Sequence, residues 1–389
     1  MIVAPIGGLA EEVSVAQAGL ELFEAGRDRL IEDLAALVAH ESPSKDGTRV
    51  SALAGFILGR LRAGDVPAEV RPCPPRGDAL LASVGAGRGG TLLLGHLDTV
   101  WPVGSWGADP FRLEGDLARG PGVFDMKAGI AVGMAVLGEL GREPQPPRVS
   151  MLLVPDEEVG TEASRGLLLD TARDHDRVFV LEPSLDGAAK VARKGTGLFR
   201  IAFTGKAAHA GLEPEKGASA LIEMARTALA VEALANAARG TTVTATLARA
   251  GSASNVVPER AELSADVRVW TEPEARRVEL AFRRLKAHDP RVRIEVVGGF
   301  DRPPLEPSPA AQALYDSARQ IAADLGFDLA AARVGGASDG NLTAAAGIPT
   351  LDGLGPRGGG AHARDEHVVV SDLPWRAAFL SRLVRAGPA

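Results

Sequence analysis

Apolar side chains recur every three or four positions over residues 24–40 and 49–63, the spacing that lays them along one face of a helix. The pattern then changes to short unbroken apolar runs at 91–94, 149–154 and 178–181. Such runs read as strands buried on both faces, because a strand with one wet face would alternate apolar and polar residues. A helical stretch over 126–140 separates the first two runs. Strand and helix in alternation predict an α/β domain built on a mostly parallel sheet. Ligands of open α/β sheets gather outside the carboxyl ends of the strands. His96 and Asp98 follow the first run, Asp156 to Glu158 the second and Glu182 the third, so all are expected to face one crevice.

Between residues 194 and 304 the texture differs. A strand is expected at 198–204, a helix at 217–237, strands at 241–247 and 261–270, a helix at 273–287 and a strand at 292–297. This βαββαβ order is that of a ferredoxin-like unit. The Gly- and Pro-rich flanks at 194–197 and 298–304 suit hinges. The expected organisation is therefore a first domain begun by residues 1–193, an inserted domain over 194–304 and a return to the first domain over 305–389, with helices at 309–325 and 373–386.

Composition narrows the chemistry. With 389 residues, 46% of them hydrophobic, the chain can bury a large core and more than one domain is expected. Its 43 Lys and Arg against 50 Asp and Glu give a net charge of -7, and no basic run is clustered as a phosphate backbone would require, which argues against nucleic acid as a partner. Cys73 is the one cysteine, so no intrachain disulfide and no thiolate metal cluster can form, and any metal site must use nitrogen and oxygen. Cys73 itself is expected to be a small buried hydrophobe. Residues 1–10 are apolar but lack a basic leader and run into Glu11 and Glu12, which is wrong for a secretory signal. The longest apolar runs elsewhere, such as 130–137, fall short of the roughly 20 residues that span a bilayer. A cytoplasmic protein with no membrane partner is the expectation.

Each candidate side chain has an ordinary reading beside a functional one. Strand alternation puts His96 and Asp98 on the same side, so the carboxylate could orient the imidazole of a metal ligand, although a lone His-x-Asp is more often structural. Asp125 precedes the expected helix and could cap it or bridge two cations. Glu157 and Glu158 form an acidic turn in which one residue could bind metal while the other handles a proton. Glu182 adds a carboxylate, and His362, on a Gly-rich loop, a second imidazole.

Taken in order, the motifs GHLDTV, GPGVFDMKAG, PDEEVG, LEPS, TGKAAHAG, SNVVPE, ADVR, RVGGASDG and GGAHARDEHV resemble the M20 metallopeptidase family, and within it the glutamate carboxypeptidase branch. The resemblance implies that His96, Asp125 and Glu182 bind one zinc and Asp125, Glu158 and His362 the other, with Asp98 orienting His96 and Glu157 acting as general base and acid. It also implies that the inserted segment is a lid and dimerisation domain of a homodimer. There His209 would reach the substrate carbonyl bound by the partner subunit, with Asn255 nearby and Arg268 gripping a substrate carboxylate. Arg333, Gly335 and Gly336 would line the same pocket. Two positions depart from the common pattern: Ala128 stands where a second glycine is usual, and Glu182 where many relatives carry Asp.

Carboxylate and imidazole donors suit Zn²⁺ and also Co²⁺ or Mn²⁺. The function expected is hydrolysis of the amide bond beside a free carboxylate, as a carboxypeptidase. The alternatives are an N-acyl-amino-acid deacylase and, of another class, a non-catalytic metal-containing binding protein.

Overall fold

The structure is a computed structural model that describes residues 18–387, so the reading of residues 1–10 lies outside the described residues. The chain divides into two compact units. The first holds the positions up to Val191, Pro307–Arg333 and those from Ser338 onward; the second holds Ala192–Glu306 and Val334–Ala337.

In the first unit, helices α1 (Arg27–Ala39) and α2 (Gly47–Ala63) precede strands β1 (Ala68–Pro72), β2 (Asp78–Val84) and β3 (Thr91–His96). Helix α3 (Ala128–Leu140), β4 (Val149–Val154), α4 (Arg165–Arg173) and β5 (Arg177–Val180) follow. The six-stranded sheet has the order β1-β2-β4-β3-β5 with the short strand Thr350–Leu351 at its edge. From β4 to that edge the pairs are parallel, while β1 with β2 and β2 with β4 are antiparallel. The fold is thus α/β with a mixed, mostly parallel sheet, as the alternation predicts.

The central strands are apolar throughout because both of their faces are covered. Leu93, Met151 and Phe179 pack with Leu37, Ile57, Leu137 and Phe379 on one side. Their strand neighbours Leu92, Leu152 and Val178 pack with Leu168 and Leu342 on the other. Each fully buried Leu or Phe contributes about 1.5–3 kcal/mol by leaving water, so the strand ends are fixed by a rigid two-sided core.

The second unit is an antiparallel four-stranded sheet of β6 (Gly195–Thr204), β7 (Thr242–Ala250), β8 (Arg260–Val269) and β9 (Arg293–Arg302) in the order β7-β8-β6-β9. Helices α5 (Ala220–Glu232) and α6 (Glu272–Arg283) complete a βαββαβ succession. Phe199, Ile201 and Phe203 alternate inward along β6 and meet Val278 and Phe282 of α6. The alternation is visible here because the residues between them on β6 are not buried.

Three expectations change. The edge pair β1 and β2 is absent from the sequence reading, since Ala68–Pro72 is mostly exposed and carries neither alternation nor an apolar run. Helix α3 starts at Ala128, because Asp125 and Met126 have non-helical dihedrals. Helix α6 ends at Arg283, short of the expected 287, and beyond it His288 Nδ1 accepts from Arg226 at 2.9 Å. Cys73 is buried, as expected. No helix among the described residues is long and apolar enough to cross a membrane.

Candidate metal centre

His96 is the last residue of β3 and pairs in parallel register with Val154, the last of β4. The acidic turn 156–158 therefore leaves the sheet beside it. His96 is buried, and its Nδ1–H donates to the main-chain oxygen of Asp98 at 2.9 Å. That bond leaves Nε2 facing Asp125 Oδ1 at 3.2 Å and Glu182 Oε1 at 3.6 Å. The Asp98 carboxylate stands 3.6 Å from Nδ1, outside hydrogen-bond range. It instead accepts the main-chain N–H groups of Glu157 at 3.0 Å and Glu158 at 3.2 Å. Asp98 thus faces His96 through both its main-chain oxygen and its nearby carboxylate, and that carboxylate also holds the acidic turn.

Asp125 does not cap α3, whose first turn has no side-chain cap. Its two oxygens point to different histidines, Oδ1 to His96 and Oδ2 to His362 Nε2 at 3.5 Å. His362 sits in the left-handed region with φ of 62°, a conformation uncommon outside glycine, and its Nε2 is 3.0 Å from Glu158 Oε1. Burial works against charge on His96, but Asp125, Asp98 and Glu182 outweigh it and hold the imidazole well above its ordinary pKa. Asp125 and Glu158 likewise raise His362 to about 10. Burial pushes the Glu158 carboxyl up in spite of the His362 bond, and two histidines hold Asp125 far below the usual carboxylate range against its own burial.

Positive charge is therefore wanted at two points, one on each side of Asp125. The donor set fits cations there. A tetrahedral ion with bonds of about 2.1 Å holds its ligand atoms roughly 3.4 Å apart, and the His-to-carboxylate distances run from 3.0 to 3.6 Å. His96, Asp125 and Glu158 each bring one ligand atom within 4.8 Å of the others, as do His96, Glu157 and Glu182. Glu157 stands in the same cluster as His96 and Glu182.

Sequence reasoning missed Glu366. Its carboxylate is fully buried and accepts from the main-chain N–H of Gly122 (3.2 Å), Phe124 (3.0 Å) and Asp125 (3.1 Å), and from Trp101 Nε1 (2.7 Å). It fixes the loop that presents Asp125. Standing among Arg364, Asp365 and His367, it looks like one more solvated charge, and no periodicity marks it as internal. Lys127 was also missed; it is buried, donates to His40 O at 3.0 Å and is pushed down to about 7 by burial.

The remaining predicted residues are placed as follows. In the second unit His209 is exposed, its Nδ1 accepting from Gly211 and Leu212 N–H at 3.1 Å. Ala210 N donates to Asn255 O at 2.9 Å, which sets Asn255 beside the His209 segment. Arg268, on β8, forms a two-point pair with Asp266 through Nε at 2.9 Å and Nη2 at 3.0 Å. Gly335 and Gly336 are exposed, and Gly336 O accepts from Arg193 at 3.3 Å. Arg333 is exposed on the strand Ala331–Val334 of the first unit.

Two imidazoles and several carboxylates, brought together from strand ends and from the loops of Asp125 and His362 and spaced for cations with an acid beside them, define a site of the metallohydrolase kind. The sequence matches Peptidase family M20/M25/M40 over residues 92–386, and the chain belongs to that family: it is a metallohydrolase acting on peptide or amide bonds. It is 32% identical over 379 residues to carboxypeptidase G2 of Pseudomonas sp. (strain RS-16), covering 93% of this chain and 91% of that one. It is 36% identical over 159 residues to acetylornithine deacetylase of Proteus mirabilis, covering 39% of this chain and 40% of that one. Among solved structures, aminopeptidase PepT of Bacillus cereus matches with a TM-score of 0.77 at 22% identity, covering 92% of this chain and 98% of that one, which shows a shared fold.

Proposed function

We propose that this protein is a two-zinc carboxypeptidase that cleaves the amide bond next to a free carboxylate. The observation that carries the reading is Asp125, whose two oxygens face different histidines, Oδ1 toward His96, which also meets Glu182, and Oδ2 toward His362, which also meets Glu158. His96, Asp125 and Glu182 would hold one ion, and Asp125, Glu158 and His362 the other. When bound, such ions supply Lewis-acid polarisation of the substrate carbonyl and lower the pKa of water.

The chain's own residues do the rest. Glu157, held by its main-chain N–H on Asp98, takes the proton of the attacking water and passes it to the departing nitrogen. Asp98 is a positioning residue for both members of the acidic turn. The partner subunit's His209 would donate to the developing oxyanion, which requires a homodimer. Asn255, Arg333, Gly335 and Gly336 are assigned to substrate binding, and Arg268 to the substrate carboxylate, for which a guanidinium offers a planar fork. The carboxypeptidase reading is favoured by the likeness to carboxypeptidase G2, which spans almost the whole chain. An N-acyl-amino-acid deacylase is the second reading, supported by the shorter stretch of higher identity to an acetylornithine deacetylase. We place the protein in the cytoplasm.

The test is turnover of dipeptides, N-acyl amino acids and folate-like glutamate conjugates by wild type and Glu157→Gln. Hydrolysis should fall by about 10²–10⁴-fold in the variant with metal content unchanged. Comparable turnover in the two proteins would refute the assignment, and the favoured substrate separates carboxypeptidase from deacylase.

A further inference from the structure

The geometry points to a buried ion pair, Asp372 with Arg376, as the positioning device that sets the two halves of the ligand set at their distance from each other. This inference rests on reading the cluster as a two-ion centre. Both residues lie at the start of the C-terminal helix Asp372–Arg385. Arg376 is completely buried and Asp372 nearly so.

A charged pair in the interior costs several kcal/mol per ion in lost hydration, and a hydrophobic pair of the same volume is often as stable or more so. Nor does the helix call for an arginine near its positive N-terminal end, which favours Asp372 alone. What the pair holds explains its presence. Asp372 Oδ2 accepts from Arg376 Nε at 3.0 Å and from the main-chain N–H of Arg357 at 2.7 Å, while Oδ1 accepts from Arg357 Nε at 2.9 Å. Arg376 Nη2 donates to Gly187 O at 2.9 Å and to Ser184 Oγ at 3.3 Å. The guanidinium lies 5.0 Å from the Trp375 ring and 5.9 Å from that of Phe327, so its plane is fixed from the sides as well.

Each tether ends near a ligand. Ser184 belongs to the loop that carries Glu182, and Arg357 to the segment that leads to His362. The same two segments are joined by Gly355 N donating to Glu182 O at 2.8 Å. Gly187 comes close to these groups: with φ of +93°, a Cβ there would lie 3.1 Å from Phe327, 3.3 Å from Arg357 and 3.5 Å from Arg376 Nη2. One salt bridge that touches no ligand side chain in this network thus braces Glu182, assigned to one ion, and His362, assigned to the other. Groups bonded directly to ligands change metal affinity by about 10–100-fold, and a brace one step further out should act at or below the lower end of that range.

The experiment titrates chelator-stripped protein with Zn²⁺ against a competing indicator and records the visible spectrum of the Co²⁺ form. It compares wild type, Asp372→Asn and Asp33→Asn. Asp33 is a control acceptor in α1, bonded by Arg29 and Arg60 and remote from these loops in sequence. Zn²⁺ affinity should fall by up to about 10-fold in Asp372→Asn with altered Co²⁺ bands, while Asp33→Asn binds as wild type even where its melting temperature drops. If Asp372→Asn does not fold, Arg357→Met decides. It removes only a half-exposed side-chain bond and should weaken binding in the same direction, and unchanged affinity would overturn the inference. Two ions bound equally well by wild type and Asp372→Asn would overturn this inference alone. A wild type that binds no Zn²⁺ would overturn the two-ion reading and this inference with it.

Discussion

Glu158 of the first unit and Glu274 of the second are both carboxylates withdrawn from water, and their environments push them in opposite directions. Glu274 is almost wholly buried and accepts from Arg277, Arg239 and Thr241. Arg277 leads in holding its carboxyl down to about 2. Around Glu158 the fold brings other acids instead, and burial drives its carboxyl up. The neighbouring cations are imidazoles that Asp125 and Glu158 themselves keep protonated. Buried charge alone therefore does not mark a functional site. What separates the two regions is whether the fold supplies a permanent cation, as arginine does in the second unit, or leaves a place for an exchangeable one.

The contrast can be broken in solution. The largest effect should come from chelation, because a ligand that binds only the folded state stabilises it by about 4 kcal/mol at a thousandfold excess over its dissociation constant. Stripping metal with EDTA should accordingly lower the melting temperature by several degrees, and calorimetry showing identical traces with and without chelator would count against the centre. Glu274→Gln should cost less, about 1–3 kcal/mol, and by the same amount with or without metal. Its pH dependence is also fixed in sign. The folded carboxyl titrates at about 2 against an ordinary 4.5, so its contribution is complete above pH 4.5 and is lost as pH falls through about 2. Thermal unfolding of wild type and Glu274→Gln should converge across that window; a gap that widened toward low pH would contradict the account.

Much of the fold and of the candidate site was legible in the sequence, and the parts that were not share a cause. Runs such as Val149–Val154 announced themselves because a strand covered on both faces must be apolar throughout. The helices of the second unit were equally plain, since α6 carries Val278 and Phe282 at four-residue spacing toward the sheet. Ligand candidates could be named because polar residues interrupt apolar runs at strand ends. Glu366, Asp372 and Arg376 stayed hidden because their partners are main-chain groups or residues far away in sequence, and no local pattern distinguishes a buried carboxylate from a solvated one. The second task of Asp98 stayed hidden for a related reason: alternation places its side chain near His96 but cannot show that it also accepts from the main chain of Glu157 and Glu158.

On the proposed reading, Asp125 joins two cation sites rather than closing one. Isothermal titration of chelator-stripped protein with Zn²⁺, run beside Glu158→Gln, addresses it directly. Wild type should take up two ions per chain and the variant should lose tight binding of one. A single ion in wild type, or two in both proteins with equal affinity, would contradict it.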